Sequence, residues 1–249
     1  MDKSGLTTGA QSLRRALQLL RLLGQNQAEG YSLAQVTEAS GLERSTAHRL
    51  LSCLVEEGFA EKDARRYRLG IEAVQLGTAG LQRMPLIDRY RASLQKLARI
   101  SGDTVFLVVR QGDFCLCLAR QEGHFPVRVF TTDVGEQRLL GIGAGGLALM
   151  ASLPDDEIKQ VLQRHAKDYA RAGFSLTRMR KAVADTRQQG FACISNTITE
   201  GVSGVGCAFP VSATTAAAIS FGAISTRLPA ARKKELGQVL LQELRENSL

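Results

Sequence analysis

At 249 residues, 44% of them hydrophobic, the chain can bury one large core or two of ordinary size, and two fit better. There is no run of 18 apolar residues, and the start Met1-Asp-Lys-Ser-Gly-Leu-Thr lacks the basic-then-apolar layout of a secretion signal, so the expectation is a soluble, cytoplasmic protein with no membrane partner. Five cysteines without a Cys-x-x-Cys exclude a disulfide framework and a zinc module, and the net charge of +8 is not a nucleic-acid signal by itself, because residues 1–70 carry only +2 of it.

Residues 1–11, rich in Gly, Ser and Thr, read as a flexible tail. From Ser12, a good N-cap, Leu13, Ala16, Leu17, Leu20 and Leu23 mark one face of a helix that stops at Gly24. After a polar loop, Ser32 with Gln35 three residues on matches a capping box, in which each side chain satisfies the other's free amide. That second helix ends by Ser40-Gly41. Beyond the glycine, Ala47, Leu50, Leu51, Leu54 and Val55 form the stripe of a third helix with one buried face. Ser45, His48, Arg49, Ser52 and Glu56 fall opposite the stripe, and Arg44 and Thr46 flank it near the N-terminal end. A short helix, a glycine turn and a donor-rich helix start are what a major groove admits, so the third helix reads as a recognition helix. The plain alternative is an amphipathic surface helix.

Residues 59–69 change to two brief strands with a turn at Asp63-Ala-Arg-Arg66, crowded by Lys62, Arg65, Arg66 and Arg68. Beside a recognition helix, such a basic ribbon supplies phosphate affinity with little sequence choice, whereas alone it is a solvated hairpin tip. Three helices and this wing make a winged helix-turn-helix over residues 12–70. Residues 71–84 read as a connecting helix that breaks near Met84-Pro85. Its glycines at 77 and 80 each cost about 1 kcal/mol relative to alanine, so something should pack closely on it, as a dimer contact does.

Residues 85–249 read as an α+β domain. An amphipathic helix carrying Ile87, Tyr90, Leu94 and Leu97 is followed by a hairpin over 104–119 and a third strand at Val127-Arg-Val-Phe-Thr131. A glycine-led helix over 141–151, a helix opened by Pro154-Asp-Asp-Glu157 and another over 177–189 come next. Strands at 191–195, 205–211 and 216–225 then complete an antiparallel sheet, and Pro229 opens a last helix.

Together these pieces resemble the IclR family of bacterial transcriptional regulators over residues 11–247. The resemblance is carried by Gly41-Leu-Glu-Arg-Ser-Thr-Ala-His-Arg-Leu-Leu51, the Glu57-Gly-Phe59 exit, Tyr67-Arg-Leu-Gly70, Gly145-Gly-Leu-Ala-Leu-Met-Ala151, Gly190-Phe191, Glu200-Gly-Val and Ala208-Phe-Pro-Val211. It implies a connecting helix, a C-terminal GAF-like effector domain, and homodimers or homotetramers on double-stranded operator DNA. Carried over by position, Arg44, Ser45, Thr46 and Arg49 take the groove-facing places, with Arg49 suited to a bidentate guanine contact and His48 beside it. The small-molecule effector is expected at Ala144, Gly145, Gly146, Ile194, Gly206, Ser220 and Gly222. Where relatives that bind small polar acids place an acid, a thiol and a second hydroxyl, Ile194, Gly206 and Gly222 stand here, leaving Ser220 as the main polar side chain. That favours an apolar or aromatic effector, including an aromatic acid whose carboxylate reaches Ser220 or free helix-end amides.

Enzyme readings are weaker. Gly141-Ile-Gly-Ala-Gly-Gly146 fits G-x-G-x-x-G, but the chain then enters a helix start instead of a second strand ending in an acid. His48, His124 and His165 lie in separate segments without ligand-spaced partners, so neither a triad nor a metal site is expected, and no cofactor. Cys115 and Cys117, two apart on a strand, read as core in preference to a redox switch. The rival to a DNA-binding regulator is a small-molecule-binding or protein-interaction module whose helix-turn-helix serves protein contacts.

Overall fold

In the computed structural model, which describes residues 10–82 and 85–247, the first leucine stripe becomes α1 (Gln11–Leu23), with Leu19 and Leu23 fully buried. Residues 1–9 of the expected tail lie outside the described residues, and Gln11 is already helical. The expected N-cap at Ser12 is corrected: the Arg14 amide donates to the Ala10 carbonyl at 3.0 Å, which places Ser12 inside the first turn. A two-residue strand, β1 (Tyr31–Ser32), leads into α2 (Leu33–Ser40). The capping box forms there, the Ser32 amide donating to Gln35 Oε1 at 2.9 Å and the Gln35 amide to Ser32 Oγ at 3.3 Å. Gly41, at φ +67°, turns the chain into α3 (Arg44–Glu56), which buries Ala47, Leu51 and Leu54 against Leu19, Leu23 and Val36.

The hairpin is β2 (Ala60–Asp63) and β3 (Arg66–Leu69), and β1 pairs with the other edge of β3. Its turn is tighter than the sequence indicates: Asp63 pairs with Arg66, leaving Ala64 and Arg65 at φ +42° and +70°. Positive φ at both central residues matches the strand twist, but the residues there are ones that favour negative φ. Helix α4 (Ile71–Gln82) follows, with Ile71, Val74 and Leu76 more than half exposed. Residues 83 and 84, where the break is expected, lie outside the described residues.

The chain divides into two compact units between residues 84 and 85. The second begins with α5 (Pro85–Ser101), then the hairpin β4 (Thr104–Gln111) and β5 (Phe114–Gln121). No strand forms at 127–131, a correction to the expected third strand. That segment crosses over the sheet, where Val129 is buried beside Gly222, and the edge of β5 is taken instead by β6 (Gln137–Leu139). Then come α6 (Ala144–Ala151), α7 (Asp155–Arg164), α8 (Ala166–Arg171), which the sequence did not reveal, and α9 (Leu176–Gln189). Strands β7 (Ala192–Ser195), β8 (Val202–Pro210) and β9 (Ala216–Ile224) lead to α10 (Ala230–Glu246).

The sheet is antiparallel throughout, in the order β6-β5-β4-β9-β8-β7. Register puts Phe106, Val108, Ser220, Gly206 and Gly204 on one face, which α6 covers. Phe209 on the other face meets Tyr90 of α5 with ring centroids 4.6 Å apart. Helix α10 packs on β8.

Asp113, in the β4–β5 turn, ties three segments together. Its carboxylate accepts from Arg164 Nε and Nη2, both at 2.8 Å, and lies 3.0 Å from His165 Nε2. Its backbone carbonyl accepts from the Leu140 amide, and the Leu140 carbonyl accepts from the Tyr169 hydroxyl at 2.6 Å. The Arg164 guanidinium holds the Asp113 carboxyl below the ordinary carboxylate range.

Two outcomes follow. Because asparagine tolerates positive φ better than alanine, Ala64→Asn should stabilise the first unit by about 0.5–1 kcal/mol, read as a rise in urea midpoint at unchanged slope. Asp113→Asn should destabilise the second unit by about 1–3 kcal/mol at pH 7. A depressed carboxyl stabilises the fold above its unfolded pKa and loses that contribution as pH falls through the lower folded value. The gap between wild type and variant should therefore shrink from pH 5 toward pH 3 in chemical denaturation.

Candidate nucleic-acid interface and ligand cleft

Within the first unit, the polar side of α3 is uncovered. Arg44, Ser45, His48 and Arg49 are exposed and Thr46 is half-buried, while the stripe behind them is closed in the core. Glu43 caps the helix without a side-chain hydrogen bond, so the first-turn amides near Arg44 and Ser45 have no side-chain cap. Donors of two kinds, side chain and helix end, therefore meet at one corner.

The hairpin cations divide by strand register. Tyr67 is buried, and Arg66 and Arg68 on either side of it are half-buried and engaged. Arg66 Nη1 donates to the Gly30 carbonyl at 3.3 Å and to Gln35 Oε1 at 3.1 Å, and Arg68 Nη2 donates to the Glu29 carbonyl at 3.4 Å. Both pin the loop before β1. Lys62 is exposed with its Nζ 5.4 Å from the Tyr67 ring centre, and Arg65 is exposed at the turn. Lys62 and Arg65 are thus the cations of this set most available to an external anion.

In the second unit a cleft lies at the start of α6. Its walls include Ala144, Gly145, Gly146, Ile194, Ser220 and Gly222, as placed from the sequence, together with Phe106, Val108, Thr131, Thr132, Arg138, Ile142, Thr197 and Ser203. Gly206 does not line it. A Cβ there would stand 2.7 Å from the Ala144 backbone, so this glycine lets the helix touch the sheet, and Gly204, two residues earlier on the same face, lines the cleft instead. The enclosed space between the walls is about 50 Å³, well below the volume of a site open to a drug-sized molecule.

Ser220 is also not the main polar side chain that the sequence reading made it. It is 6% exposed and makes no side-chain hydrogen bond among the described residues, but Arg138, Thr131, Thr132, Thr197 and Ser203 join it. Among the described residues, the buried side-chain polar atoms left without a partner are Arg138 Nε and Thr197 Oγ1, and both residues line this cleft. Arg138 was legible only as a charge in a short segment, because its facing depends on β6, three residues long and without a pattern of its own.

Cys115 and Cys117 line the same wall. Burial pushes both thiols up to about 11, so neither is a thiolate near neutrality. The G-x-G-x-x-G run follows β6, an antiparallel edge strand, which is not the parallel strand-to-helix setting of a dinucleotide site. No group of three or more His, Cys, Asp or Glu side chains able to hold a metal ion occurs among the described residues. No helix among them is long and apolar enough to cross a membrane.

Comparison with known proteins gives two family matches along the chain. Residues 12–64 match the IclR helix-turn-helix domain, and residues 78–248 match the bacterial transcriptional regulator IclR C-terminal family. The chain is 28% identical over 246 residues to the HTH-type transcriptional regulator BhcR of Paracoccus denitrificans, covering 96% of this chain and 87% of that protein. It is 31% identical over 240 residues to the HTH-type transcriptional regulator Rv1719 of Mycobacterium tuberculosis, covering 94% and 89%. The crystal structure of an IclR family transcriptional regulator from Brucella abortus superposes with a TM-score of 0.83 at 22% identity, covering 99% of this chain and 93% of that one, a likeness of fold. With a family model over residues 78–248 and a relative above 30% identity along nearly the whole chain, the protein belongs to the IclR family of bacterial transcriptional regulators.

Proposed function

We propose that this chain binds operator DNA as a homodimer or homotetramer and that its second unit, a GAF-like effector domain, adjusts that binding in response to a small ring-bearing metabolite. The observation that carries the reading is the projection of Arg44, Ser45, His48 and Arg49 from a helix whose back is buried. In this reading α3 enters the major groove. Arg49 donates two hydrogen bonds to a guanine edge, and Ser45, Thr46 and His48 meet phosphates or base edges. Arg44 and the uncapped amides beside it take a backbone phosphate. Lys62 and Arg65 lie along the adjacent backbone, and Arg66 and Arg68 brace the wing while adding to its positive field. The exposed apolar side of α4, with open space at Gly77 and Gly80, is the surface a second copy covers.

The cleft at the start of α6 supports the effector half of the reading, with Phe106, Val108 and Ile142 as apolar walls for a ring. Ligand entry has to part these walls, since the space as it stands holds no more than a few waters. An effector that binds one arrangement of the domain better than another shifts the population, and DNA affinity with it.

Fluorescence anisotropy on duplex DNA flanking the protein's own coding region tests the DNA-binding reading. Affinity should fall steeply with salt. Arg49→Ala should weaken binding by about 1–3 kcal/mol and relax base preference at one position, while Arg65→Ala should lower affinity for all sequences and reduce the salt slope by about 1. Affinity that does not respond to salt would instead assign the helix-turn-helix to protein contacts.

A further inference from the structure

We propose that the corner where β7 meets the start of α10 binds a phosphate group, free or carried by a small metabolite, which accepts from the Lys233 ammonium and the Ser195 hydroxyl. The site lies on the face of the sheet opposite the α6 cleft, and it does not depend on the effector reading.

Strand alternation sets the two residues on that face. Ile194 of β7 pairs with Gly204 on the side that α6 covers, so Cys193 and Ser195 rise on the other, where α10 packs against β8. Lys233 Nζ of α10 donates to Ser195 Oγ. Burial pushes the Cys193 thiol up, and the Lys233 charge beside it acts in the opposite direction. Behind Ser195 runs a chain of hydroxyls. Ser203 Oγ donates to Ser195 Oγ at 3.2 Å, and the Oγ atoms of Ser203 and Ser225 are 2.9 Å apart. Ser203 is 1% exposed and Ser195 half-buried, so the chain is anchored in the interior and emerges at Ser195.

Counting hydrogens along this chain leaves a surplus of donors at its open end. A hydroxyl has one hydrogen to give and two lone pairs to receive with. The Ser203 hydrogen goes to Ser195, so the contact between Ser203 and Ser225 is donated by Ser225, whose hydrogen also faces Asn196 Oδ1 at 3.4 Å. Both lone pairs of Ser195 are then taken, by Lys233 and by Ser203, and its own hydrogen has no acceptor among the described residues. Lys233 has three N–H donors, one of them engaged, and no carboxylate pairs with it among the described residues. The surroundings add charge of the same sign. Arg227 and Arg232 share the single carboxylate of Asp103, and Lys234 is exposed, so residues 227–235 and Asp103 together hold four cations against two carboxylates, Asp103 and Glu235. What is missing is an anion with several acceptors. A flat carboxylate is matched best by the parallel N–H bonds of a guanidinium, whereas an ammonium and a hydroxyl offered from separate elements suit a tetrahedral phosphate.

The test is isothermal titration of the full chain with sodium phosphate, glycerol 3-phosphate and sodium acetate, at one pH and at constant ionic strength in chloride. The wild type should bind phosphate or its monoester at least about tenfold more tightly than acetate. Tighter binding of glycerol 3-phosphate than of phosphate identifies the ligand as a phosphorylated metabolite, and the reverse order identifies it as the free ion. Lys233→Gln, whose amide can still donate to Ser195, should weaken phosphate binding at least about tenfold, and Ser195→Ala about three- to tenfold. Lys234→Gln, which removes the same charge one residue away, should change it less than about twofold. Phosphate held by the cations of α3 and the hairpin is common to all four proteins and leaves the differences between them unchanged. Thermal melts check that the variants fold, and Ser195→Ala, which leaves the α10 side chain in place, keeps the test open if Lys233→Gln melts early. No phosphate binding in the wild type, acetate binding as tight as phosphate, phosphate affinity indifferent to Lys233→Gln and Ser195→Ala, or an equal loss in Lys234→Gln would each overturn the site.

Discussion

The effector unit depends on how closely α6 can approach the sheet. A Cβ at Gly206 would stand 2.7 Å from the Ala144 backbone, and one at Gly145 would stand 2.8 Å from Val108 Cγ2. Contacts this short force the helix away, so glycine on both surfaces is the condition for the observed packing. The approach has two consequences. Along its length α6 becomes fully buried, with Leu147, Leu149 and Met150 in the core. At its N-terminal end, where the glycines leave no side chains to fill the space, a cleft remains between helix and strands. The packing and the cleft are thus two results of one steric arrangement, and a methyl group at Gly145 would disturb both.

The approach is held from behind by polar contacts. Leu140, just before the helix, donates its amide to the Asp113 carbonyl and offers its own carbonyl to the Tyr169 hydroxyl, and the Gly141 amide donates to the Gly146 carbonyl. Asp113 is in turn clamped by Arg164 and His165 at the α7–α8 junction. Tyr169 is fully buried, and its phenol is pushed far up by burial, so it remains a neutral donor at any physiological pH. This network fixes the segment entering α6 from one side while the cleft opens on the other.

What the sequence disclosed and what it withheld divide along the range of the interactions involved. The Ser32–Gln35 capping box, the αL turns at Gly41 and Gly190 and the burial of Ala47, Leu51 and Leu54 are set within one or two helical turns, and a pattern read along the chain finds them. The start of α1 lies two residues earlier than expected because a backbone bond to Ala10 outweighed the capping preference of Ser12. Val127, Val129 and Phe130 carry the composition of a strand, but alternation says nothing about whether an edge is available. β6 occupies that edge, and Arg120, packed over Phe130 and paired with Asp133, holds the crossing loop. Gly206 and Gly204 exchanged roles for a similar reason: both face α6, and only the position of the helix N-terminus decides which one packs and which one lines space.

Arg138 illustrates the same limit where it matters most. In the sequence it is one basic residue between glutamine and two leucines, indistinguishable from a solvated surface charge. Three long-range facts convert it into part of a cleft: pairing with Cys115, the close seat of α6, and the crossing loop whose Thr131 carbonyl it holds. The guanidinium therefore touches the loop and the cleft at once, with one edge on the backbone of residue 131 and Nε buried with no partner. An unpaired buried donor costs about 1–3 kcal/mol, so the side chain that holds the loop does so at a cost that its other hydrogen bonds have to offset.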